Sequence, residues 1–273
     1  MLNGNAVLPL SKIGYAHAIS FIAAGDQARG RTEAALETAS ANDLLPLSAV
    51  ELLAPVPRPP KILCVGLNYR DHAVESKMQL PSVPTIFAKF PTAVIGPGAP
   101  IELPAFTDQI DYEAEFAVVI GRGGKRIARN RWREHVFGYT IFNDVSARDI
   151  QLATSQWTLG KSLDTFAPMG PYIVSADEIE DPHRLDIRLS IGGETLQHSN
   201  TRELIFGVPE LIEYISQIVP LEAGDIISTG TPAGVGLGRT PPRWLRAGEE
   251  VEIEIEKIGV LRNPVASEKV LHP

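Results

Sequence analysis

Asp111-Tyr112-Glu113-Ala114-Glu115-Phe116-Ala117-Val118-Val119-Ile120 opens acidic and closes as a β-branched, apolar run. The second half has the composition of a buried strand. Side chains alternate across a strand, so Asp111, Glu113 and Glu115 share a face with Ala117 and Val119, and Ala114, Phe116, Val118 and Ile120 take the other. Three carboxylates therefore crowd the mouth of an apolar strand. Left ionised and unpaired there, they would suffer desolvation and mutual repulsion, which a bound cation relieves. A donor set made only of oxygen favours Mg²⁺, Mn²⁺ or Ca²⁺. An edge strand with a solvated acidic end satisfies the same pattern, and this stretch alone does not choose between the two.

Outward from that strand the chain alternates short apolar runs with turns. Upstream, Lys61-Ile62-Leu63-Cys64-Val65-Gly66 predicts a strand, and 68–77 predicts a short helix with Asn68 as its cap. Thr85–Phe90 and Ala93–Ile95 are further strand candidates among Gly and Pro turns. Downstream, Gly121–Gly124 is a turn, Val136–Phe142 a strand that delivers Asn143 and Asp144, and Val145–Thr154 a helix. Strands are expected at Tyr172–Val174, Leu185–Ile191 and Asp225–Ser228. Glu250–Ile255 reads as a half-solvated edge. The clearest helix is Thr201–Val219, broken or started anew at Pro209, with Leu211, Ile212, Ile215 and Ile218 at helical spacing. Residues 1–57 have weak periodicity apart from a possible amphipathic helix over Asp26–Asn42. They end in Pro55-Val56-Pro57-Arg58-Pro59-Pro60, which divides a small N-terminal domain (1–57) from a larger one (58–273). The fold class expected is α+β, mainly β.

Composition narrows the function. The 273 residues suffice for a substantial core, and 44% hydrophobic with 21% charged residues is ordinary for a globular chain. The net charge of −8 argues against nucleic acid or an anionic membrane as the main partner. A single cysteine, Cys64, rules out an internal disulfide and a cysteine-rich zinc site, in keeping with a reducing cytoplasm. The mildly apolar run from Ile13 to Gly25 is interrupted by Tyr15 and His17, so it makes a poor signal peptide. No stretch is long enough to span a bilayer.

Asp144, at a strand end, could bring a third oxygen ligand to Glu113 and Glu115, or simply cap the following helix. His72 and Glu75, three apart, share a helix face and can hydrogen-bond, which is how a histidine becomes a general base. Arg148, Gln151 and Lys161 supply donors for a carboxylate or a developing oxyanion. Gly160-Lys161-Ser162 imitates the end of a phosphate loop, but Ser155 stands where that loop needs glycine. Gly234-Val235-Gly236-Leu237-Gly238 lacks the dinucleotide spacing. There is no Gly-x-Ser-x-Gly elbow and no His-Glu-x-x-His.

These segments together resemble the fumarylacetoacetate hydrolase family over about residues 58–267. The resemblance rests on Gly66-Leu67-Asn68-Tyr69-Arg70-Asp71-His72, Asp111–Glu115, Phe142–Asp149, Gly160–Phe166 and Ser228–Gly234. It implies a rolled, mixed β-sheet with a few helices, and a homodimer. It implies a divalent ion, Mg²⁺ or a similar one, on Glu113, Glu115 and Asp144, and a base dyad of His72 and Glu75 on a mobile lid helix. Arg148, Gln151, Lys161 and Thr231 are implied as substrate contacts, with Lys161 also able to handle a proton. Some members add a metal-binding Asp shortly before the lid histidine; Leu63-Cys64-Val65-Gly66 has none, so a three-ligand site is implied. The leading expectation is metal-dependent hydrolysis of a carbon–carbon bond in a 2,4-dioxo acid. Oxaloacetate decarboxylation or keto–enol tautomerisation of a related 2-oxo acid is the alternative. A non-catalytic metal-binding module would have no use for the His72/Glu75 spacing.

Overall fold

The computed structural model describes residues 2–268. At its centre is a seven-stranded mixed sheet in the order Thr85–Lys89, Ile62–Gly66, Ile226–Ser228, Ala114–Ile120, Val136–Asn143, Ala167–Ser175, Val94–Ile95. The acidic stretch supplies the middle strand, so the solvated-edge reading is corrected. Every residue of Ala114–Ile120 is buried. The alternation holds: Ala114, Phe116, Val118 and Ile120 lie in one apolar cluster with Tyr139 and Ile141, while Ala117 and Val119 lie in a second with Ile62, Cys64, Phe142 and Ile226. With both faces covered, a strand has to be apolar almost throughout, which explains its β-branched second half.

A five-stranded sheet, Glu194–Asn200, Asp186–Ile191, Glu250–Ile255, Gly259–Ser267 and Ile101–Leu103, forms a second layer. Its Ile187, Leu189, Ile253 and Leu261 join the cluster that contains Phe116. Glu250–Ile255 is thus an interior strand with one half-solvated face, not an edge; its alternating Glu residues report the face and say nothing of its neighbours. Glu194–Asn200 and Gly259–Ser267 have no sequence signal, because the first is largely polar and the second contains Pro264. The helix expected over 201–219 is a 3-10 turn at Thr201–Glu203 followed by Val208–Ile218, with Pro209 in its first turn and Leu211, Ile212 and Ile215 buried.

In the N-terminal region the helix Asp26–Thr38 buries only Ala28 and Thr32. Ile22, Ala54 and Val56 pack into the cluster that contains Ile62 and Ile226. No helix among the described residues is long and apolar enough to cross a membrane. The whole is α+β, mainly β, built on a mixed, rolled sheet.

Candidate active site

Strand register assembles the carboxylates. Ala114 pairs with Asn143 and Glu115 with Phe142, so the end of Val136–Asn143 lies beside the start of the acidic strand. Asp144 N–H donates to the Glu113 carbonyl at 2.9 Å, and Glu113 N–H donates to the Asn143 side-chain oxygen at 3.1 Å. One oxygen from each of Glu113, Glu115 and Asp144 comes within 4.8 Å of the others, and all three residues are buried.

Three cations answer them. Lys161 Nζ lies 2.9 Å from Glu113 and 2.7 Å from Asp144. Arg148 donates to Glu113 at 2.6 Å, to Asp111 at 2.8 Å and to Gln151 Oε1 at 2.9 Å. Lys89, also buried, donates to the other Asp144 oxygen at 2.6 Å and to the Val145 carbonyl at 2.9 Å. Against Asp111, Glu113, Glu115 and Asp144 this leaves one negative charge unmatched. Burial pushes Glu115 well above the usual carboxylate range, with Asp144 and Glu113 adding to the push. Burial also opposes ionisation of Glu113, but Lys161 and Arg148 outweigh it and hold that carboxyl down to about 2. For Lys161, burial favours the neutral amine, but Asp144 and Glu113 overcome it and keep the ammonium.

The donor chemistry fits a hard divalent cation. All the donors are oxygens, they are buried, and they carry excess negative charge. Ser228 hydroxyl and Gly230 N–H hold Glu115 Oε2, while no donor among the described residues reaches Oε1. A cation or a proton on Glu115 balances the cluster.

Glycine lets Lys161 reach the carboxylates. A Cβ on Gly160 would stand 2.4 Å from Gln151 N, so only glycine allows the turn Thr158–Lys161 to close on the helix Arg148–Leu152. Lys161 Nζ also sits 5.1 Å from the Phe87 ring centroid, a cation–π distance.

His72 and Glu75 do meet. His72 Nδ1 is 3.1 Å from Glu75 Oε2, and Gly234 N–H donates to Glu75 Oε1 at 2.9 Å. A Cβ on Gly238 would press on the Glu75 carboxyl at 2.9 Å, so that glycine makes room for it. Burial disfavours the Glu75 carboxylate, but the His72 and Gly234 hydrogen bonds more than offset this and lower its pKa. The loop after Ser228 holds Glu115 through Gly230 N–H and Glu75 through Gly234 N–H, and so places the dyad beside the carboxylate cluster.

The sequence matches the fumarylacetoacetate (FAA) hydrolase C-terminal family over residues 61–266. The chain belongs to the fumarylacetoacetate hydrolase family. An oxaloacetate tautomerase, YisK of Bacillus subtilis, is 49% identical over 223 residues, 80% of this chain and 74% of that protein. The crystal structure of a 2-hydroxyhepta-2,4-diene-1,7-dioate isomerase from Mycobacterium marinum superposes with a TM-score of 0.74 at 41% identity, covering 84% of this chain and 83% of that one. A maleylpyruvate hydrolase from Sphingobium sp. SYK-6, solved with manganese(II) and pyruvate, superposes with a TM-score of 0.84 at 31% identity, covering 98% of this chain and 96% of that one. A family enzyme with an acidic cluster suited to a divalent ion is thus established, and the reactions of its relatives include tautomerisation, isomerisation and hydrolysis.

Not every family position faces open space. The Thr231 hydroxyl donates to the Ala114 carbonyl at 2.9 Å and accepts from Gln197 at 2.9 Å, which ties the Gly-Thr-Pro loop to the acidic strand. Gln151 Oε1 is occupied by Arg148. Asn68 is not a helix cap, since the helix spans Arg70–Glu75 with Tyr69 before it. The Asn68 amide instead donates to the Phe206 and Thr229 carbonyls and accepts from Phe206 N–H. Sequence reasoning missed Lys89, whose only signal is a lysine ending the apolar run Thr85–Lys89. It also missed the role of Ser228, which enters only as the first residue of the Ser228–Gly234 motif, and Gln197, which carries no local signal.

Proposed function

We propose that this enzyme catalyses keto–enol tautomerisation of oxaloacetate or a closely related 2-oxo dicarboxylic acid, with Mg²⁺ or Mn²⁺ held by Glu113, Glu115 and Asp144. The observation that carries the proposal is the His72–Glu75 dyad bordering the carboxylate cluster: a proton-transfer pair beside a cation site. The 49% identity with an oxaloacetate tautomerase moves this reading ahead of the hydrolysis that the motifs first suggest.

When bound, the ion would supply Lewis-acid stabilisation of negative charge developing on the 2-oxo oxygen. His72 removes the proton from the carbon next to the 2-oxo group and returns it to the resulting enolate oxygen to complete the enol, and Glu75 holds the imidazole in the tautomer that can accept it. Gly234 N–H fixes Glu75 in turn. Lys161 keeps its proton and offers a hydrogen bond to an anionic substrate oxygen. Arg148, itself held by Gln151, sets the orientation of Glu113.

Hydrolysis of an acylpyruvate is the second reading. It is favoured by the maleylpyruvate hydrolase neighbour and by the ability of the same dyad to activate water. Decay of oxaloacetate enol absorbance with and without Mg²⁺, beside pyruvate release from acylpyruvates, separates the two. Fast metal-dependent ketonisation with negligible pyruvate release is expected. Pyruvate release at comparable rates would replace the tautomerase reading with the hydrolase. His72→Ala should slow the reaction by about 10² to 10⁴, the usual contribution of a general base, at unchanged metal affinity.

A further inference from the structure

The loop joining the acidic strand to Val136–Asn143 carries six cations between Arg122 and Arg133, in a chain whose net charge is −8. Two of them are committed elsewhere. Arg129 pairs with Glu210 and Glu213, and Arg133 donates to the Glu180 carbonyl and lies over the Trp132 ring. The other four, Arg122, Lys125, Arg126 and Arg131, line a cavity of about 300 Å³ together with Gly123 and His135, and no acidic side chain lines it.

Glu134 flanks the cavity and is shared by Arg131 at 2.7 Å and Arg122 at 4.0 Å. Lys125 and Arg126 have no acidic partner among the described residues. Four cations against one flanking carboxylate repel one another, and the site gains stability from any counter-charge that enters. Backbone donors add to the side chains. The N–H groups of Arg122, Gly124 and Arg126 donate to the His135, Leu221 and Ser216 carbonyls, while those of Gly123 and Lys125 have no protein acceptor among the described residues. Guanidinium forks and free N–H groups around a concavity are the donors that bind phosphate and carboxylate oxygens.

The cavity adjoins the Ile120 end of the acidic strand, while Glu115 is five residues back along it, about 16 Å at strand rise. We propose that this cavity is a second ligand site, separate from the carboxylate centre, for a compact oxyanion with two or more negative charges, either a phosphate ester or a polycarboxylate. The proposal stands whichever reaction the active site catalyses.

Calorimetric titration of inorganic pyrophosphate and of citrate into metal-free full-length protein tests it, and the tighter of the two identifies phosphate or carboxylate as the natural group. Binding of at least one is expected to weaken by about tenfold or more in Lys125→Gln/Arg126→Gln, through loss of two charged donors. It should persist in Lys161→Gln, which alters only the active centre. Should the first pair unfold, as judged by circular dichroism, Arg122→Gln/Arg131→Gln makes the same test from the opposite wall. The proposal is overturned if neither anion binds, if the cavity variants bind like wild type, or if Lys161→Gln that is folded by circular dichroism fails to bind.

Discussion

Lys89 shows how much of the site depends on a residue that its sequence context conceals. Its side chain and that of Asp144 are both fully buried, and its amine also holds the Val145 carbonyl. Lys89→Met keeps the volume and strands a buried carboxylate, so it should destabilise the fold by about 3–5 kcal/mol, the cost of removing one partner from a buried ion pair. Urea unfolding of the variant checks this; a loss below about 1 kcal/mol would mean that Lys161 alone supports Asp144. Glu113 and Glu115 stood out because carboxylates at strand alternation in an apolar run are physically anomalous; Asp144, a helix-cap candidate by its own context, joined them through the family resemblance, and the structure brings the three together. Lys89 was not legible, because a lysine at a strand end is usually solvated, and only the sheet order Thr85–Lys89, Ile62–Gly66, Ile226–Ser228 reveals that it turns inward. Ser228 was hidden differently: one hydroxyl at a strand end says nothing until its acceptor, Glu115 on a strand more than a hundred residues away, is known.

The helix Arg70–Glu75 docks by polar contacts. Ala73 is its one buried residue, and Val74 is 79% exposed. Its hold comes from Arg70 to the Leu204 carbonyl, from Ser199 hydroxyl to Asp71, and from Gly234 N–H to Glu75. An element with little apolar burial opens at low cost, which is the physical basis for the lid role that the family resemblance implies. Ser199→Ala removes one anchor without touching the dyad. It should speed hydrogen exchange of the 70–76 amides severalfold and lower kcat while leaving metal affinity intact; unchanged exchange would show that Asp71 does not anchor the helix. The helix itself was readable from its helix-forming residues, but its start was not. Asn68 is a good cap in isolation, and it is drawn away by three hydrogen bonds to Phe206 and Thr229, partners that no local pattern announces. The strands were read best where one face alternates, as in Glu250–Ile255, and their neighbours were not, since alternation is the same at an edge and in the interior.

At the scale of the whole molecule, the homodimer that the family resemblance implies predicts that light scattering gives twice the 29.6 kDa chain mass; a monomer at working concentration would remove that inference. The pH dependence of stability follows from the carboxylate cluster. Glu115 is protonated more readily in the folded protein than in the unfolded chain, so its contribution to stability is full below the ordinary carboxylate pKa of 4.5 and is lost as pH rises through its higher folded value. Glu113 has the opposite sign: with its pKa held down to about 2, it stabilises above 4.5 and loses that contribution as pH falls toward 2. From 4.5 up to the folded value of Glu115 the metal-free enzyme should become steadily less stable as pH rises, because the unfolded chain has released a proton that the dry folded site still has to give up. A divalent ion takes the place of the proton and cancels this loss, so the Tm gain on adding Mg²⁺ or Mn²⁺ should grow with pH. In Glu115→Gln, which keeps the shape and has no proton to lose, the metal-free Tm should be flatter with pH over that window and the gain from metal smaller. Thermal melts of both proteins from pH 4.5 upward, with and without metal, decide the matter. A Glu115→Gln variant whose metal-induced gain still climbs with pH as steeply as the wild type would place the linked proton elsewhere and take Glu115 out of the ligand set.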